Sequence, residues 1–285
     1  RNIGMVFQSY AIWPHMSVYD NVDFPLKVKG VPDRREKVMR ALELVGLHHL
    51  EDRSATDLSG GQQQRVAIAR AIVMDVDLLL FDEPLSNLDS KLRIQMRFEL
   101  RQLQKQLGIT SIYVTHDQEE AMVLSDRVAV MDDGNIVEIG KSQDIYLEPR
   151  KLFTAKFVGQ SNLLPGEVVS ADGATATVKT AIGQIATGAH DSSAPSEGFL
   201  MIRPEHIPMS WTKEELPSSD VNVFEGTIVS ETFTGKLVDY RVRVGEFMFE
   251  VQTPLRHALE KENRVFIHLP PERCVMLPKD TPGTS

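Results

Sequence analysis

A single cysteine, Cys274, excludes an internal disulfide and points to a reducing compartment. No apolar run approaches the ~20 residues that a membrane-spanning helix needs, and no signal-peptide pattern is visible. Basic residues are also in short supply. The 31 Lys and Arg are outnumbered by 40 Asp and Glu, for a formal charge of -9, and both halves of the chain are acidic. That balance argues against a dedicated nucleic-acid binder, which presents a basic face. No sequence repeat is obvious. The first residue is Arg1 rather than Met, and it leads straight into an apolar segment, so the sequence reads as a piece of a longer protein. Its 285 residues suffice for two domains with separate cores.

What is present falls into two textures. Residues 1–7 read as the end of a strand, and residues 8–30, aromatic-rich with Pro14, Pro25 and Gly30, as a loop. Val38, Leu42 and Val45 recur at helical spacing before Gly46, which predicts a helix over 33–45. A second helix is expected over 60–74. The apolar run 77–82, bounded by acids, has the pattern of a strand buried on both faces of a parallel sheet. Leu92, Met96, Leu100, Leu103 and Leu107 form one stripe of a helix over 90–107, with Gly108 after it. A strand (111–115), a helix (118–124) and a strand (127–131) follow. Asp132-Asp133-Gly134-Asn135 then reads as a hairpin turn into a strand at 136–139. The β-α-β rhythm from 77 to 131 predicts an α/β sheet. Near Gly159 the helical periodicity stops. Short alternating runs replace it at 167–169, 175–179, 199–202, 227–231, 237–244, 247–251 and 264–269. They predict a small all-β barrel or sandwich. The polar stretch 188–198 reads as a surface loop.

Four places carry candidate chemistry. Asp82 and Glu83 end the apolar run, where ligands sit in open α/β sheets. Adjacent acids in extended backbone point different ways, so one can hold Mg²⁺ while the other reaches an attacking water. Ser59-Gly60-Gly61 opens a helix whose N-terminal N–H groups suit an anion. His116 follows the apolar strand 112–114 and can contact a phosphate or a water. Gln8, just past the first strand, can ligate Mg²⁺ or orient water without bringing charge. Taken singly, each has a plainer reading: a solvated strand end, an ordinary Ser cap, a capping His and a surface Gln.

The ordered set is more specific than its members. Gln8, Leu58-Ser59-Gly60-Gly61-Gln62-Gln63-Gln64, Asp82-Glu83, Ser86-Asn87-Leu88-Asp89 and His116 resemble the ATP-binding-cassette (ABC) ATPase family. They look like its Q-loop, signature motif, Walker B strand with catalytic Glu, D-loop and switch His, in family order. The resemblance covers about residues 1–158. It implies the C-terminal portion of an α/β P-loop NTPase-like core, with residues 9–75 as the helical subdomain that carries the signature motif. It also supplies roles. Asp82 would bind Mg²⁺ and Glu83 would polarise the attacking water. His116 would sense the γ-phosphate of ATP. Gln8 would link the metal site to a membrane partner. Ser59, Gly60, Gly61 and Gln62 would clamp ATP held by a second ATPase subunit in a head-to-tail dimer, with Asp89 at that interface. Tyr10, Trp13, Tyr19 and Phe24 would receive a coupling helix from a transmembrane permease subunit, or serve as subdomain core.

Residues 159–285 resemble the TOBE barrel of importer ATPases, through Asn162-Leu163-Leu164-Pro165-Gly166-Glu167, Ile202-Arg203-Pro204-Glu205-His206-Ile207 and Gly226-Thr227-Ile228-Val229. Arg203 and Glu205 are expected to be structural, in a salt bridge or a turn, rather than catalytic. The combined resemblance implies an importer ATPase of the polyamine, iron, phosphonate or sugar group, on the cytoplasmic face of the cell membrane, served indirectly by an extracytoplasmic solute-binding protein and acting on no nucleic acid. Ala11-Ile12-Trp13-Pro14-His15-Met16 is most similar to the iron, phosphonate and polyamine importers. A non-transport ABC ATPase would carry a coiled-coil insertion or tandem cassettes, which this sequence lacks. A non-catalytic interaction module is the third reading.

One family piece is missing. A phosphate-cradling loop needs G-x-x-x-x-G-K-[S/T]. The one Gly-Lys-Ser here, Gly140-Lys141-Ser142, lies one residue too far from Gly134 and behind a predicted strand. In the family that loop precedes the Q-loop, so its place would be before Arg1. The strand ending at Asp82 is then expected to have an unpaired edge.

Overall fold

The computed structural model describes residues 2–172, 175–188, 195–217, 221–254 and 263–279. The chain divides into two compact units, Arg1–Asp126 and Arg127–Ser285. Most of the predicted surface loop at 188–198 lies outside the described residues.

The first unit runs β1 (Ile3–Val6), α1 (Val18–Val28), α2 (Arg34–Leu44), α3 (Gly60–Ile72), β2 (Leu78–Asp82), α4 (Ser90–Leu107), β3 (Thr110–Val114) and α5 (Gln118–Leu124). Its sheet has the order β1-β2-β3, and both pairings are parallel. One continuous core joins Val6 and Phe81 of the sheet to Val22, Leu42, Val66, Ile68 and Leu100 of the helices.

Two expectations need correction here. The stretch 8–30 is not all loop, because α1 occupies Val18–Val28 with Pro25 inside it. Proline removes one backbone bond from a helix interior. Four things outweigh that cost: buried Val18, Val22 and Leu26, and the Ser17 cap, whose hydroxyl accepts the Asp20 N–H. The strand ending at Asp82 is neither an edge nor buried on both faces. It lies between β1 and β3. Its Leu79 and Phe81 are buried, while Leu78 and Leu80 are half-buried beside exposed Ile3, Met5, Ile112 and Val114. The helices of this unit cover one side of the sheet, so the apolar run exceeds what that packing uses.

The second unit begins with a hairpin, β4 (Arg127–Asp132) and β5 (Asn135–Lys141), then α6 (Ser142–Leu147) and α7 (Leu152–Phe157). Asp133 and Gly134 both have positive φ, 44° and 80°, as a tight two-residue hairpin turn requires. Gly140 and Lys141 are strand residues of β5, so they form no phosphate loop. There follow β6 (Asn162–Ala171), β7 (Ala176–Thr180), β8 (Gly183–Thr187), β9 (Glu197–Ile202), β10 (Met209–Ser210), β11 (Val223–Phe233), β12 (Leu237–Val244), β13 (Phe247–Pro254), β14 (Arg264–His268) and β15 (Val275–Pro278). They make two five-stranded antiparallel sheets, β15-β9-β6-β7-β8 and β10-β14-β11-β12-β13. Leu164, Val178, Ile185 and Leu200 of the first sheet share a core with Val242, Phe249, Val265 and Ile267 of the second. The expected all-β domain is therefore present.

Arg203 follows β9 and is 1% exposed. It forms no ion pair with Glu205. Its guanidinium donates to the carbonyl oxygens of Tyr146, Ala155 and Gln160 and to Oγ of Ser161, and lies 4.4 Å from the Tyr146 ring centre. Tyr146 in turn donates to Oε1 of Glu205. Burial, then the Glu205 bond, pushes the Tyr146 phenol up to about 12. Both residues are structural, as expected, but through carbonyls and a phenol rather than a salt bridge.

Candidate active site

The parallel register fixes the site. Val6 pairs with Phe81, and Asp82 pairs with Val114, so β1, β2 and β3 end together. Gln8, Glu83 and His116 are the residues just beyond those ends. They meet: Nδ1 of His116 is 3.1 Å from Oε1 of Glu83, and Nε2 of Gln8 donates to Oε2 of Glu83 at 3.4 Å. His116 is 71% exposed at its side chain, and Nδ1 carries its only polar contact among the described residues. Its other ring nitrogen is open to a ligand.

Glu83 adopts φ of 45°, the left-handed region, which costs a non-glycine residue roughly 1–2 kcal/mol. The surroundings hold it there. Its N–H donates to the Val114 carbonyl at 2.9 Å, and its own carbonyl accepts Oγ of Ser86 at 2.8 Å. Asn87 donates from Nδ2 to the Gln8 carbonyl at 2.8 Å. Loop 84–89 thus ties the ends of β1 and β2 together.

Asp82 is exposed at the end of β2, and its carboxylate has no hydrogen bond or ion pair among the described residues. Mg²⁺ prefers a few hard oxygen donors and completes its shell with water and phosphate. Asp82 and the amide oxygen of Gln8 fit that demand. Among the described residues no cluster of three or more acids, histidines or cysteines forms a self-sufficient metal cage.

Ser59, Gly60, Gly61 and Gln62 stand apart from this trio, at the start of α3. Ser59 accepts the Gln62 N–H, and Oε1 of Gln62 accepts the Ser59 N–H at 3.0 Å, a reciprocal capping box. The glycines permit close packing. A methyl group added to Gly60 would lie 3.0 Å from Leu88 Cδ2, and one added to Gly61 would lie 3.1 Å from Met96 Sδ. The signature turn therefore rests on loop 84–89 and α4. Asp89 caps α4, with Oδ1 accepting the Leu92 N–H at 3.0 Å.

Sequence reading missed the network behind His116. Asp117 caps α5 through the Glu120 N–H, and its own N–H donates to Thr115 Oγ1. Arg97, buried on α4, donates to Asp117 Oδ2 and Glu119 Oε2, each at 2.6 Å. Burial opposes the Arg97 charge, but the Glu119 bond and nearby carboxylates outweigh it, so its pKa is raised. Glu120 accepts from Tyr113 and Thr115. Burial, reinforced by Glu120, raises the Tyr113 pKa and keeps that phenol neutral. The one available signal was the i, i+4 spacing of Arg93 and Arg97, which places them on one helix face.

Beside the site, the segment after Gln8 is clamped. Arg70 of α3 donates to the carbonyls of Tyr10 and Ala11 and lies 4.5 Å from the Trp13 ring centre, and Trp13 packs on Phe24 at 4.4 Å. A groove of about 420 Å³ opens there, lined in part by Met5, Trp13, Phe24, Pro25, Val28 and Met74. Trp13 and Phe24 therefore line an open groove as well as packing on one another. Among the described residues no helix is long and apolar enough to cross a membrane.

Residues 1–86 match the family described as ABC transporter, and residues 200–277 match the TOBE domain. The chain is 40% identical to the Fe(3+) ions import ATP-binding protein FbpC 1 of Rhizobium meliloti, over 94% of this chain and 74% of that protein. It is 45% identical to the spermidine/putrescine import ATP-binding protein PotA of Clostridium novyi, over 86% of this chain and 68% of that protein. It is 43% identical to the sn-glycerol-3-phosphate import ATP-binding protein UgpC of Cupriavidus pinatubonensis, over 79% and 65% respectively.

Proposed function

Because the chain belongs to the ATP-binding subunits of ABC importers, with a TOBE domain behind the ATPase portion, we propose that Glu83, His116, Gln8 and Asp82 are its hydrolytic centre. The observation that carries this reading is the meeting of His116 and Gln8 on the two carboxylate oxygens of Glu83. Glu83 accepts the proton of the water that attacks the γ-phosphate, a general-base contribution of about 10²–10⁴-fold. His116 holds that carboxylate through Nδ1 and offers Nε2 to the phosphate. Asp82 and Gln8 would hold Mg²⁺, which when bound neutralises phosphate charge. Ser59, Gly60, Gly61 and Gln62 serve the nucleotide of a second ATPase subunit, across an interface that includes Asp89.

The groove at Trp13, Phe24 and Val28 receives a helix of the permease, on the cytoplasmic face of the membrane. Solute choice rests with the permease and a solute-binding protein. The names of the relatives support the ferric-iron, polyamine and glycerol-phosphate group as the solute range.

The decisive experiment uses the whole subunit assembled with its permease. Glu83→Gln should lower Mg-ATP turnover by at least about 100-fold and stop solute uptake while nucleotide binding persists. Normal turnover by Glu83→Gln would refute the assignment. The 285 residues alone hold no G-x-x-x-x-G-K-[S/T] segment, so by themselves they should bind Mg-ATP weakly and turn none over.

A further inference from the structure

Arg93 of α4 has no part in the reading above, yet its guanidinium joins two pieces of the site. Nη2 donates to the carbonyl oxygens of Leu88 at 3.0 Å and Ser86 at 3.3 Å. Nη1 lies 3.9 Å from Oδ2 of Asp117. Asp117 is anchored on its other sides by the Glu120 N–H, by Arg97 and by Thr115. His116 therefore stands between two fixed residues. Across the gap, Ser86 is bonded to the Glu83 carbonyl. The contacts close a circuit from Glu83 to Ser86, Arg93, Asp117 and His116, and back to Glu83 at 3.1 Å.

Arginine suits this position. Its planar fork reaches two carbonyls and a carboxylate at once, which a lysine ammonium on a flexible stem does not reproduce. The side chain is largely covered, and Nε is buried without a hydrogen-bond partner, so protein groups rather than water hold the charge in place.

We infer that Arg93 is a positioning residue for hydrolysis: it fixes loop 84–89 against Asp117 and so sets the approach of His116 to Glu83. The inference rests on the assignment of Glu83 and His116 as the hydrolytic pair. Arg93 touches neither of them. It acts through backbone carbonyls on one side and a neighbouring carboxylate on the other. A displacement of about 1 Å in such a contact costs up to ~100-fold in rate.

The test is steady-state Mg-ATP hydrolysis by the whole importer, with Arg93→Met and Arg93→Lys made in the wild-type and His116→Ala backgrounds. In the wild-type background kcat should fall on the order of tenfold for both, with KM changed by less than about twofold. In the His116→Ala background the same changes should add little, because the contact they adjust is already gone. If Arg93→Met fails to fold, Asp117→Asn is read by the same criteria, since asparagine keeps the helix cap and removes the charge facing Arg93. Unchanged kcat, or losses that multiply in the double variants, would overturn the inference. Glu83→Gln is run alongside. If it is inactive, the Arg93 results judge the positioning role alone, and if it turns over normally, the site assignment falls and this inference with it.

Discussion

Nδ1 of His116 and Oε1 of Glu83 stand 3.1 Å apart although neither lies in a strand or helix. Glu83 follows β2 directly, and His116 follows β3 by one residue. Their meeting is a property of the sheet register, which pairs Asp82 with Val114.

That register places weight on Ser86. Its hydroxyl holds the carbonyl of Glu83, whose backbone is in a conformation it would otherwise avoid. A hydrogen bond of this kind is worth about 0.5–1.5 kcal/mol. Ser86→Ala in the whole importer should therefore lower kcat by roughly two- to tenfold, with the Mg-ATP dissociation constant unchanged. Weaker nucleotide binding at full kcat would show that Ser86 serves the ligand instead.

The capping box at Ser59 and Gln62 predicts a stability effect separable from ATP. Loss of a Ser cap costs about 1 kcal/mol. Ser59→Ala should lower the unfolding free energy of the purified chain, read from urea titration, by that amount without nucleotide present. Because the two bonds are reciprocal, Ser59→Ala and Gln62→Ala should together cost less than their sum. Additive losses would mean the two side chains act separately.

Arg203 is the most demanding buried group of the second unit. Removing it strands several carbonyl acceptors, each worth about 1–3 kcal/mol when left unpaired. Arg203→Met should destabilise the chain by about 3 kcal/mol or more, and Arg203→Lys should recover only part. A midpoint shift within error would contradict the bonding described for α6, α7 and the strand β6.

His268 gives a pH dependence. It is buried, and both ring nitrogens lack a hydrogen-bond partner among the described residues. Burial lowers its pKa, and the Glu272 carboxylate offsets this only in part. The folded value lies below the roughly 6.5 of an unfolded chain. Within that window the unfolded chain binds the extra proton. Stability is therefore full above about pH 6.5 and falls as the pH drops toward the folded value. His268→Leu should flatten the decline between about pH 7 and 5. His206, also lowered chiefly by burial, should retain a remainder. A profile identical to wild type would clear His268.

Much of this molecule was legible before its structure. The stripe from Leu92 to Leu107 gave α4, and the residues beyond three apolar runs gave Gln8, Glu83 and His116. Both are local patterns with a strong physical signature. α1 was hidden because Pro25 and the aromatics of that stretch mimic a loop, while the burial that stabilises it is tertiary. The strands β8, β10 and β15 were too short or too weakly alternating to register. The i, i+4 spacing of Arg93 and Arg97 put them on one helix face, but their pairing with Asp117 was hidden for a different reason. Their partners are separated by twenty residues or more, and charge complementarity at that distance leaves no periodic mark.

The strand orders also bear on synthesis. The three described strands of the first unit's sheet have all been made once Val114 is translated. Neither sheet of the second unit can close until the last strands appear, because β14 sits between β10 and β11 and β15 pairs with β9. At ribosomal speeds of about 5–20 residues per second, the interval is roughly 10–30 seconds. Within that time β9, β10 and β11 leave the ribosome before their partners β14 and β15 are translated. The second unit is thus the part of the nascent chain most in need of protection from premature strand pairing.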